Sequence, residues 1–553
     1  MLFSKSSELK INPWILMAAF TLLVGPFALD FHMHYPDEIY YRDAAVKMLQ
    51  NGDYLTTYLG SGELRFKKPI GTYWAVVAGF KLFGVNEFGS RIFFLLAGAL
   101  TVGLTFWLGK VLFRNEKIAG ISALIMAANP VLIFSATRSI PDVLLVLAIT
   151  ASAIGFAGLI RYGDQVPRKF LWLLYLSLAI AFEIKGLPAA ALGGLGLIYL
   201  LANPWQRISW KTLMHLPSLA VSLLIALFWF VAMWKIHGPT YLDSFLEDQV
   251  GIRVASRILL IVQNGILALV LLIAIFIPWT FFVLPYSKEV LAKTWKENPA
   301  FFGFAILWGL AILGMGAMTS KFYERYLLPV APVLAVWLGW ILVRGEFELR
   351  RKSLKITSLF FLIISSILLL ASGWLAIQGN SGFTIWGQLV CSLLIFGYLW
   401  RLFRQEEKLP KVIAYSFLLI IFLMSSITAH ISLPHQGAQA KRVFVEKGIP
   451  SNSPIGFIGN LHAGSKIRMS LGPEFNLTDL PIENWENEIS NFSYLILEDK
   501  RLSEMDTAHY EVILLAKNWE SRQIGKLLLS YKSKQFDQLL DENSKKYFLL
   551  TKK

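Results

Sequence analysis

Residues 356–377 read ITSLFFLIISSILLLASGWLAI and contain no charged side chain. A helix needs about 20 apolar residues to cross the hydrocarbon core of a membrane. Working outward from this run gives thirteen comparable segments, and a Lys-Gly-Leu-Pro turn at 185–188 separates the fifth from the sixth. The segments are 12–29, 90–112, 118–136, 140–160, 169–185, 187–203, 213–236, 259–285, 299–318, 326–343, 355–377, 383–400 and 412–433.

The composition agrees with a polytopic α-helical membrane protein. Of 553 residues, 55% are hydrophobic and 16% charged, against about 45–50% and about 25% in soluble domains. These values exclude a disordered chain, a fibrous repeat and a disulfide-stapled secreted domain. The single cysteine, Cys391, excludes an intramolecular disulfide and a cysteine-based zinc site. Because it lies in an apolar run, we expect it to be a buried small hydrophobic residue.

The basic residues predict the orientation of the chain. Alternate loops, counted from the N-terminus, hold 22 Lys and Arg residues, whereas the five short loops on the other side hold six. Basic loops stay in the cytoplasm, so the N-terminus is predicted to be cytoplasmic and the C-terminus, after thirteen crossings, periplasmic. Loop 30–89 departs from this rule, since it should be external yet carries six basic residues. We expect some of these charges to bind a ligand.

Two parts of the chain are predicted to lie outside the bilayer. Loop 30–89 contains a predicted short helix, 43–49, and a predicted amphipathic interface helix, 70–83. Residues 434–553 lack a span-length apolar run and predict a small external α/β domain. Its predicted strands are 454–458, 494–497, 510–515 and 547–550, with a helix at 520–530. We therefore divide the chain into a transmembrane catalytic domain, 1–433, and a periplasmic α/β domain, 434–553.

Ionisable side chains gather at the predicted external ends of the spans, where each is a functional candidate because burying charge in a membrane is costly. Such a mixture of carboxylates and cations suits an anionic lipid headgroup and acid/base chemistry. No HExxH, P-loop or dinucleotide-binding motif appears. The candidates are Asp37, Glu38, Tyr41, Lys67, Lys68, Arg138, Asp142, Lys185, Arg253, Lys321, Arg325 and Tyr326.

Each candidate taken singly has a structural alternative. Asp37 and Asp142 equally suit helix N-caps, and Glu38 suits a solvated carboxylate. Lys67 and Lys68 suit interface anchors whose long side chains reach the headgroups. The pair 325–326 suits a span-end anchor. The order and co-location of the residues favour a shared site.

The ordered motifs resemble a known family. They are YPDEIYY at 35–41, KKP at 67–69, KLFG at 81–84, PD at 141–142, KGLP at 185–188, DQVGIR at 248–253 and SKFYERYLLP at 320–329. This set resembles the GT-C membrane glycosyltransferases of the protein O-mannosyltransferase superfamily, most closely the branch that transfers aminoarabinose to lipid A. The resemblance implies a GT-C fold of about 13 transmembrane helices with a small external C-terminal α/β domain.

The resemblance also implies an activity and roles for residues. Such enzymes move a sugar from a polyprenyl (undecaprenyl) phosphate carrier to an acceptor on the periplasmic face of the bacterial inner membrane, here lipid A or a related glycolipid. Asp37 would be the catalytic loop carboxylate and Asp142 the second acidic residue. The ligands of the carrier phosphate would be Lys68, Arg253 and Tyr326. Lys185 would lie near the same cavity, and Glu38, Tyr41, Lys67, Arg138, Lys321 and Arg325 are further candidates for substrate binding.

One residue departs from the family pattern. The aminoarabinose branch usually has Glu before Lys-Pro, and that Glu has been associated with a metal ion, whereas this chain has Lys67. We therefore expect no metal ion or other cofactor, and the identity of the sugar stays open. We expect an inverting single displacement, because the external clusters offer no serine–histidine pair as a nucleophile. The alternatives are a protein O-mannosyltransferase-like enzyme and, in a different class, a polyprenyl-lipid transporter or flippase.

Overall fold

The protein is described by a computed structural model covering residues 10–29, 36–247, 258–283, 288–344, 351–378, 383–431, 436–481, 483, 485–519, 538–539 and 541–553. The chain forms two compact units. The membrane unit comprises Met1–Leu29, Phe66–Thr72 and Arg91–His430. The loop–tail unit comprises Asp30–Arg65, Tyr73–Ser90 and Ile431–Lys553.

Long apolar helices make up most of the membrane unit. In the part of the chain that is described, eight helices are long and apolar enough to cross a membrane: Glu87–Phe113, Pro141–Gln165, Leu216–His237, Pro299–Ala317, Glu324–Arg344, Arg351–Ile377, Phe383–Phe403 and Glu406–Thr428. A bent pair, Glu116–Ala127 and Pro130–Ala136, makes a ninth if it is one span. The remaining helices are Pro13–Leu29, Arg168–Lys185, Leu187–Ala202, Trp210–Leu213, Pro239–Leu246, Ile258–Ala274, Trp279–Val283 and Glu289–Glu297.

Within the described residues, eleven of the predicted spans correspond to one helix each and two correspond to a pair of helices, while the count of thirteen crossings stays a prediction. Segment 118–136 is the bent pair, whose second helix begins at Pro130 after the N-cap Asn129. Segment 259–285 is interrupted, because its helix ends at Ala274 and a new one begins at Trp279 after Pro278. Proline lacks the amide hydrogen that would continue a helix.

The predicted break at 185–188 is confirmed. One helix ends at Lys185 and the next begins at Leu187. Gly186 between them has φ +71°, a conformation that glycine adopts without steric cost. The tight turn makes Lys185 the last residue of its helix.

Glycines allow the two helices around the candidate site to approach closely. A Cβ added at Gly155 of helix Pro141–Tyr162 would lie 2.7 Å from the Cβ of Leu174 in helix Arg168–Lys185. A Cβ at Gly158 would overlap the ring of Phe170. Small residues at such contacts let membrane helices pack by close van der Waals contact.

A substitution at this contact should destabilise the membrane unit. We expect Gly158→Ala to lower the free energy of unfolding by about 1–3 kcal/mol, because the methyl group forces the helices apart. Gly194→Ala is the matched control, since a Cβ there meets nothing within 4 Å, and alanine favours a helix by up to about 1 kcal/mol. Thermal unfolding in detergent compares the two variants, and equal transition temperatures would contradict the expectation.

The loop–tail unit is built on a five-stranded sheet of order β2-β1-β3-β5-β4. The strands are β1 Pro454–Ile458, β2 Asn476–Asp479, β3 Tyr494–Glu498, β4 Tyr510–Trp519 and β5 Ser544–Lys552. β1 pairs in parallel with β2 and β3, whereas β5 pairs antiparallel with β3 and β4. Helices Pro36–Asn51, Gly71–Phe83, Gln436–Glu446, Leu461–Leu471 and Asp499–Leu502 complete the described helices.

The structure confirms four predicted strands and adds one. β1 has the predicted bounds, and β3, β4 and β5 are longer than predicted. β2 is polar in sequence and was not predicted, since of its four residues only Leu477 is buried. The predicted helix at 520–530 lies outside the described residues.

The first loop contributes to the same compact unit as the tail. Its first helix, Pro36–Asn51, here called the loop helix, is longer than the predicted 43–49. It packs against Leu461–Leu471, here called the tail helix, and residues 30–65 and 73–90 share the unit with 431–553. The domain prediction kept this loop with the transmembrane segments, and a domain boundary at residue 433 stays a prediction.

The expectation for Cys391 is wrong. Its side chain is exposed on helix Phe383–Phe403. Few side chains of this helix pack inside the protein, so an apolar residue on it faces outward. In a helix long enough to span a membrane, such a surface suits lipid chains.

Candidate active site

Asp142 is the centre of a buried ion cluster in the membrane unit. It lies in the first turn of helix Pro141–Tyr162 and its side chain is 4% exposed. Lys185 Nζ lies 2.6 Å from Asp142 Oδ1, and Arg325 Nε lies 3.2 Å from Asp142 Oδ2. The N-cap of this helix is Ile140, without a side-chain capping bond, so the N-cap alternative for Asp142 is wrong.

Aromatic rings line the cationic side of this cluster. Lys185 Nζ lies 4.8 Å from the centre of the Tyr326 ring. The guanidinium of Arg325 lies 4.1 Å from the ring centre of Tyr323 and 5.6 Å from that of Tyr326. Arg325 and Tyr326 belong to the 3-10 turn Glu324–Val330, which enters helix Ala331–Arg344. The turn therefore presents a guanidinium and a phenol beside Asp142 rather than a simple span-end anchor.

Two cations converge on one carboxylate in this cluster. Among the described residues, Lys185 and Arg325 both contact Asp142. Lysine and arginine side chains form strong charge-assisted hydrogen bonds with phosphate groups. The cluster therefore has the electrostatics of a phosphate-binding site.

Lys68 comes from the short segment Phe66–Thr72, which also belongs to the membrane unit. This segment packs on the end of helix Arg168–Lys185, because a Cβ at Gly71 would lie 2.8 Å from the carbonyl oxygen of Glu183. Lys68 is 6% exposed, whereas its neighbour Lys67 is exposed. A buried ammonium does not fit the alternative of a headgroup anchor for Lys68, while Lys67 fits it.

Two other predicted site residues of the membrane unit, Arg138 and Lys321, are less buried than the cluster. Arg138 is half-buried, with its guanidinium 5.8 Å from the ring centre of Phe134. Lys321 is exposed. Arg253 lies outside the described residues. The structure thus brings together Asp142, Lys185, Arg325 and Tyr326.

The remaining predicted site residues belong to the loop–tail unit. Asp37 is half-buried in the first turn of the loop helix, which begins at Pro36, so it is not the N-cap residue. Tyr41 is buried, with its ring centre 4.9 Å from that of Tyr73. Arg65 lies over the ring of Tyr40 at 3.9 Å. Asp37 thus lies on the same helix as Tyr40 and Tyr41, whose rings contact Arg65 and Tyr73.

The expectation that Glu38 is solvated is wrong. Glu38 is 2% exposed and accepts a hydrogen bond from Arg42 Nη2 at 2.9 Å. Arg42 Nη1 lies 2.7 Å from Glu87 Oε2. The spacing of four residues between Glu38 and Arg42 permits this pair on one helix face, and packing within the loop–tail unit buries it.

The sequence did not reveal the ionisable residues of the tail helix. Arg468 is completely buried and bonds to Asp43 and Asp479. Burial raises the pKa of Asp479 to about 6 and lowers the pKa of Lys466. Asn460 is a local signal for the start of the tail helix, because its side chain accepts a hydrogen bond from the His462 amide at 2.8 Å. Nothing in the local sequence predicts that Arg468 is buried.

The structure offers no cluster for a metal ion among the residues it describes, since no three His, Cys, Asp or Glu side chains converge there. Whether the protein uses a metal ion stays a prediction. The candidate site is instead built of cations and phenols.

The fold and the buried cluster define a class of protein. Apolar helices carry a buried Asp–Lys–Arg cluster at their ends, and the chain also forms a unit with a five-stranded sheet. ArnT from Cupriavidus metallidurans bound to undecaprenyl phosphate has the same fold, with a TM-score of 0.69 over 97% of both chains at 17% identity. The protein is a multi-pass membrane protein of GT-C fold.

Sequence comparisons confirm the predicted resemblance. Residues 14–242 match the model of the dolichyl-phosphate-mannose-protein mannosyltransferase family. The undecaprenyl phosphate-alpha-4-amino-4-deoxy-L-arabinose arabinosyl transferase 1 of Pseudomonas fluorescens is 26% identical over 66% of this chain and 64% of its own length. An uncharacterised protein of Aquifex aeolicus is 27% identical over 71% of this chain and 73% of its own. The match thus spans a little under two-thirds of that transferase.

Proposed function

We propose that this protein is an integral membrane glycosyltransferase of the bacterial inner membrane. It transfers a sugar from a polyprenyl (undecaprenyl) phosphate carrier to lipid A or a related envelope glycolipid. The observation that carries this proposal is the buried cluster in which Lys185 and Arg325 both contact Asp142 beside Tyr326. The arabinosyl transferases that the chain resembles are named for an undecaprenyl phosphate donor, which supports the same class of substrate.

The cations suit the leaving group. Negative charge grows on the carrier phosphate as its bond to the sugar breaks, and preorganised positive groups in a water-poor site stabilise that charge. Lys68 supplies a buried ammonium and Tyr326 a phenolic hydroxyl. Arg253 is the third proposed ligand, with a guanidinium that binds phosphate in a two-pronged geometry. Asp142 holds Lys185 and Arg325 in place through its two oxygens.

The acceptor determines the role of Asp37. A phosphate acceptor on lipid A is already ionised at neutral pH, because its second pKa is about 6. It needs no general base, so Asp37 orients the sugar through its hydroxyl or amino groups. A hydroxyl acceptor needs Asp37 as the base, an effect of about 10²–10⁴-fold. In both cases the acceptor attacks the sugar directly and inverts the anomeric centre.

The same proposal sets the topology. The N-terminus lies in the cytoplasm and the tail in the periplasm, in accord with 22 basic residues in one set of loops against six in the other. The donor cannot leave the bilayer, so its reactive carbon stays at headgroup depth. A site at helix ends meets it there.

The position of the charges disfavours a transporter. Transporters place their ionisable groups near the midplane, on broken helices of paired repeats. Here Asp142 lies in the first turn of its helix and Lys185 is the last residue of its own. A protein acceptor would keep the same donor site. Lipid A is favoured because an arabinosyl transferase matches over 66% of this chain, whereas the protein mannosyltransferase model matches residues 14–242.

The test uses purified full-length protein in detergent, a panel of undecaprenyl-phosphate sugars and lipid A, with mass spectrometry of the lipids. We expect lipid A to gain the mass of one sugar residue, and Asp37→Ala to abolish the gain. If a carrier sugar is consumed only with another acceptor, the proposed donor stands and lipid A is the wrong acceptor. If the protein moves the carrier across liposome membranes and consumes no carrier sugar, it is a flippase and not a transferase.

Adjacent lysines give a matched comparison. We expect Lys68→Ala to lower kcat at least about 100-fold, since it removes one preorganised positive group from the leaving phosphate. Lys67→Ala should stay within about threefold of wild type, because an exposed ammonium is screened by water. Single-turnover rates with one donor distinguish the two, and equal losses would contradict the donor site proposed at Lys68.

A further inference from the structure

The loop helix and the tail helix run parallel in a fixed register. Ser465 Oγ donates to the carbonyl oxygen of Ile39 at 3.5 Å, across 426 residues of sequence. Arg42 Nη1 lies 3.9 Å from the sulfur of Met469, across 427 residues. Arg468 bonds to Asp43, across 425 residues. Residues that meet across this interface therefore differ in number by about the same amount.

This register brings His462 to Asp37. Both residues lie in the first turns of their helices and are 425 residues apart. Their proximity has an electrostatic signature, because the Asp37 carboxylate acts to raise the pKa of the His462 imidazole. The net pKa of His462 is nevertheless lowered, chiefly by burial and then by Lys466. The lowered pKa keeps the His462 ring neutral at neutral pH, and the helix register places this ring level with Asp37.

Other charged groups face the same region. The loop helix presents Glu38 and Arg42, and Glu87 lies beside Arg42. On the tail helix, Lys466 is influenced by all three of these groups. Helix Gln436–Glu446 packs against the tail helix, and its buried residues, Gln436, Gly437, Ala440 and Phe444, are uncharged. Because Arg42 lies between Glu38 and Glu87, a charge gained by His462 acts mainly on Asp37.

We propose that His462 is a positioning residue for Asp37, and that protonation of His462 withdraws the Asp37 carboxylate from the sugar. The proposal rests on the function proposed above. A neutral imidazole leaves the full negative charge of Asp37 to the hydroxyl or amino groups of the sugar. A protonated imidazole forms an ion pair with Asp37 and competes with those groups. The C-terminal tail thus contributes a residue that tunes the carboxylate of the first loop.

The first test compares the pH dependence of kcat/KM for wild type and His462→Gln, using the full-length protein. We expect wild-type kcat/KM to fall more than tenfold when the pH is lowered from 7.5 to a value at which the His462 imidazole is protonated. The variant should lose at least threefold less over that range, because glutamine gains no charge. At pH 8 its kcat should stay within tenfold of wild type. Superimposable profiles would overturn the proposal.

The second test does not depend on turnover. Diethyl pyrocarbonate modifies neutral imidazoles, so its rate against pH, followed by mass spectrometry, reports the protonation of His462. We expect Asp37→Asn to move the midpoint for His462 down by about half a pH unit or more, because a neighbouring carboxylate favours the charged imidazole. His509, which is exposed on the tail, is the internal control and should react alike in both proteins.

The two tests separate two failures. If wild type consumes no carrier sugar, the proposed function is overturned, and the modification midpoint alone decides whether Asp37 and His462 are paired. If wild type is active but the midpoint of His462 is the same with and without the Asp37 carboxylate, the pairing is overturned and the proposed function stands.

Discussion

Asp142→Asn is expected to lower transfer at least about 100-fold and the free energy of unfolding by about 3–5 kcal/mol. The second figure is typical when one partner of a buried ion pair is removed. The carboxylate contacts Lys185 and Arg325, all three side chains being at most 10% exposed. Asparagine keeps the volume of the side chain but removes the negative charge that contacts both buried cations. Both cations then lose the geometry that the carrier phosphate requires.

A double variant distinguishes charge from packing. Asp142→Asn combined with Lys185→Met also removes one of the two cations that lose their contact with the carboxylate, so we expect it to be more stable than Asp142→Asn while remaining inactive. Thermal unfolding in detergent and single-turnover transfer give the two readouts. If Asp142→Asn alone is as stable and as active as wild type, the cluster is neither a structural nor a catalytic element.

Arg468→Met should have a comparable effect on the loop–tail unit. Arg468 is completely buried, bonds to Asp43 and Asp479, and donates from Nε to the carbonyl oxygen of Leu477 at 3.1 Å. Without the guanidinium, two buried carboxylates lose their shared cation. We expect a loss of about 3–5 kcal/mol, seen as faster proteolysis or hydrogen exchange at both the loop helix and the tail helix.

An ordinary surface pair provides the control. Arg501 and Glu504 lie three residues apart with contacting atoms at 2.7 Å and partly exposed side chains. Arg501→Met should change stability by less than about 1 kcal/mol. Combining Arg468→Met with Asp43→Asn and Asp479→Asn should restore part of the loss, because the buried carboxylates disappear too. Unaltered exchange in Arg468→Met would refute a structural role for this ion triad.

Sequence patterns predicted the elements well where the signal is local. The length of the apolar runs located the helices. Gly186 and Pro188 located the turn that follows Lys185, the last residue of its helix. Short runs of β-formers gave β1 with its bounds. β2 was missed because Asn476–Asp479 is mostly polar, and it forms a strand only through its pairing with β1.

Side-chain environments were harder to predict, because distant segments create them. Asp142 was expected equally as a cap or a catalytic residue, and only the folded chain shows that it binds Lys185, 43 residues away. Glu38 was misjudged because the loop–tail packing that buries it joins segments more than 400 residues apart. Ionisable residues at the predicted span ends gave the candidate set, and the ordered motifs of a known family gave the expected role of each residue.

The parallel pairing of loop helix and tail helix has a consequence for biosynthesis. The two partners of the Arg468–Asp43 bond are 425 residues apart, and translation proceeds at about 5–20 residues per second. The loop helix is therefore made roughly 20–85 seconds before the tail helix that packs against it. During this interval, residues that are buried in the folded protein, such as Ile39 and Ala44, lack the tail as a packing partner. A ribosome that stops before the tail yields a chain with every apolar helix but an unfinished first loop. The Asp37 region is therefore assembled only after the tail helix has been made.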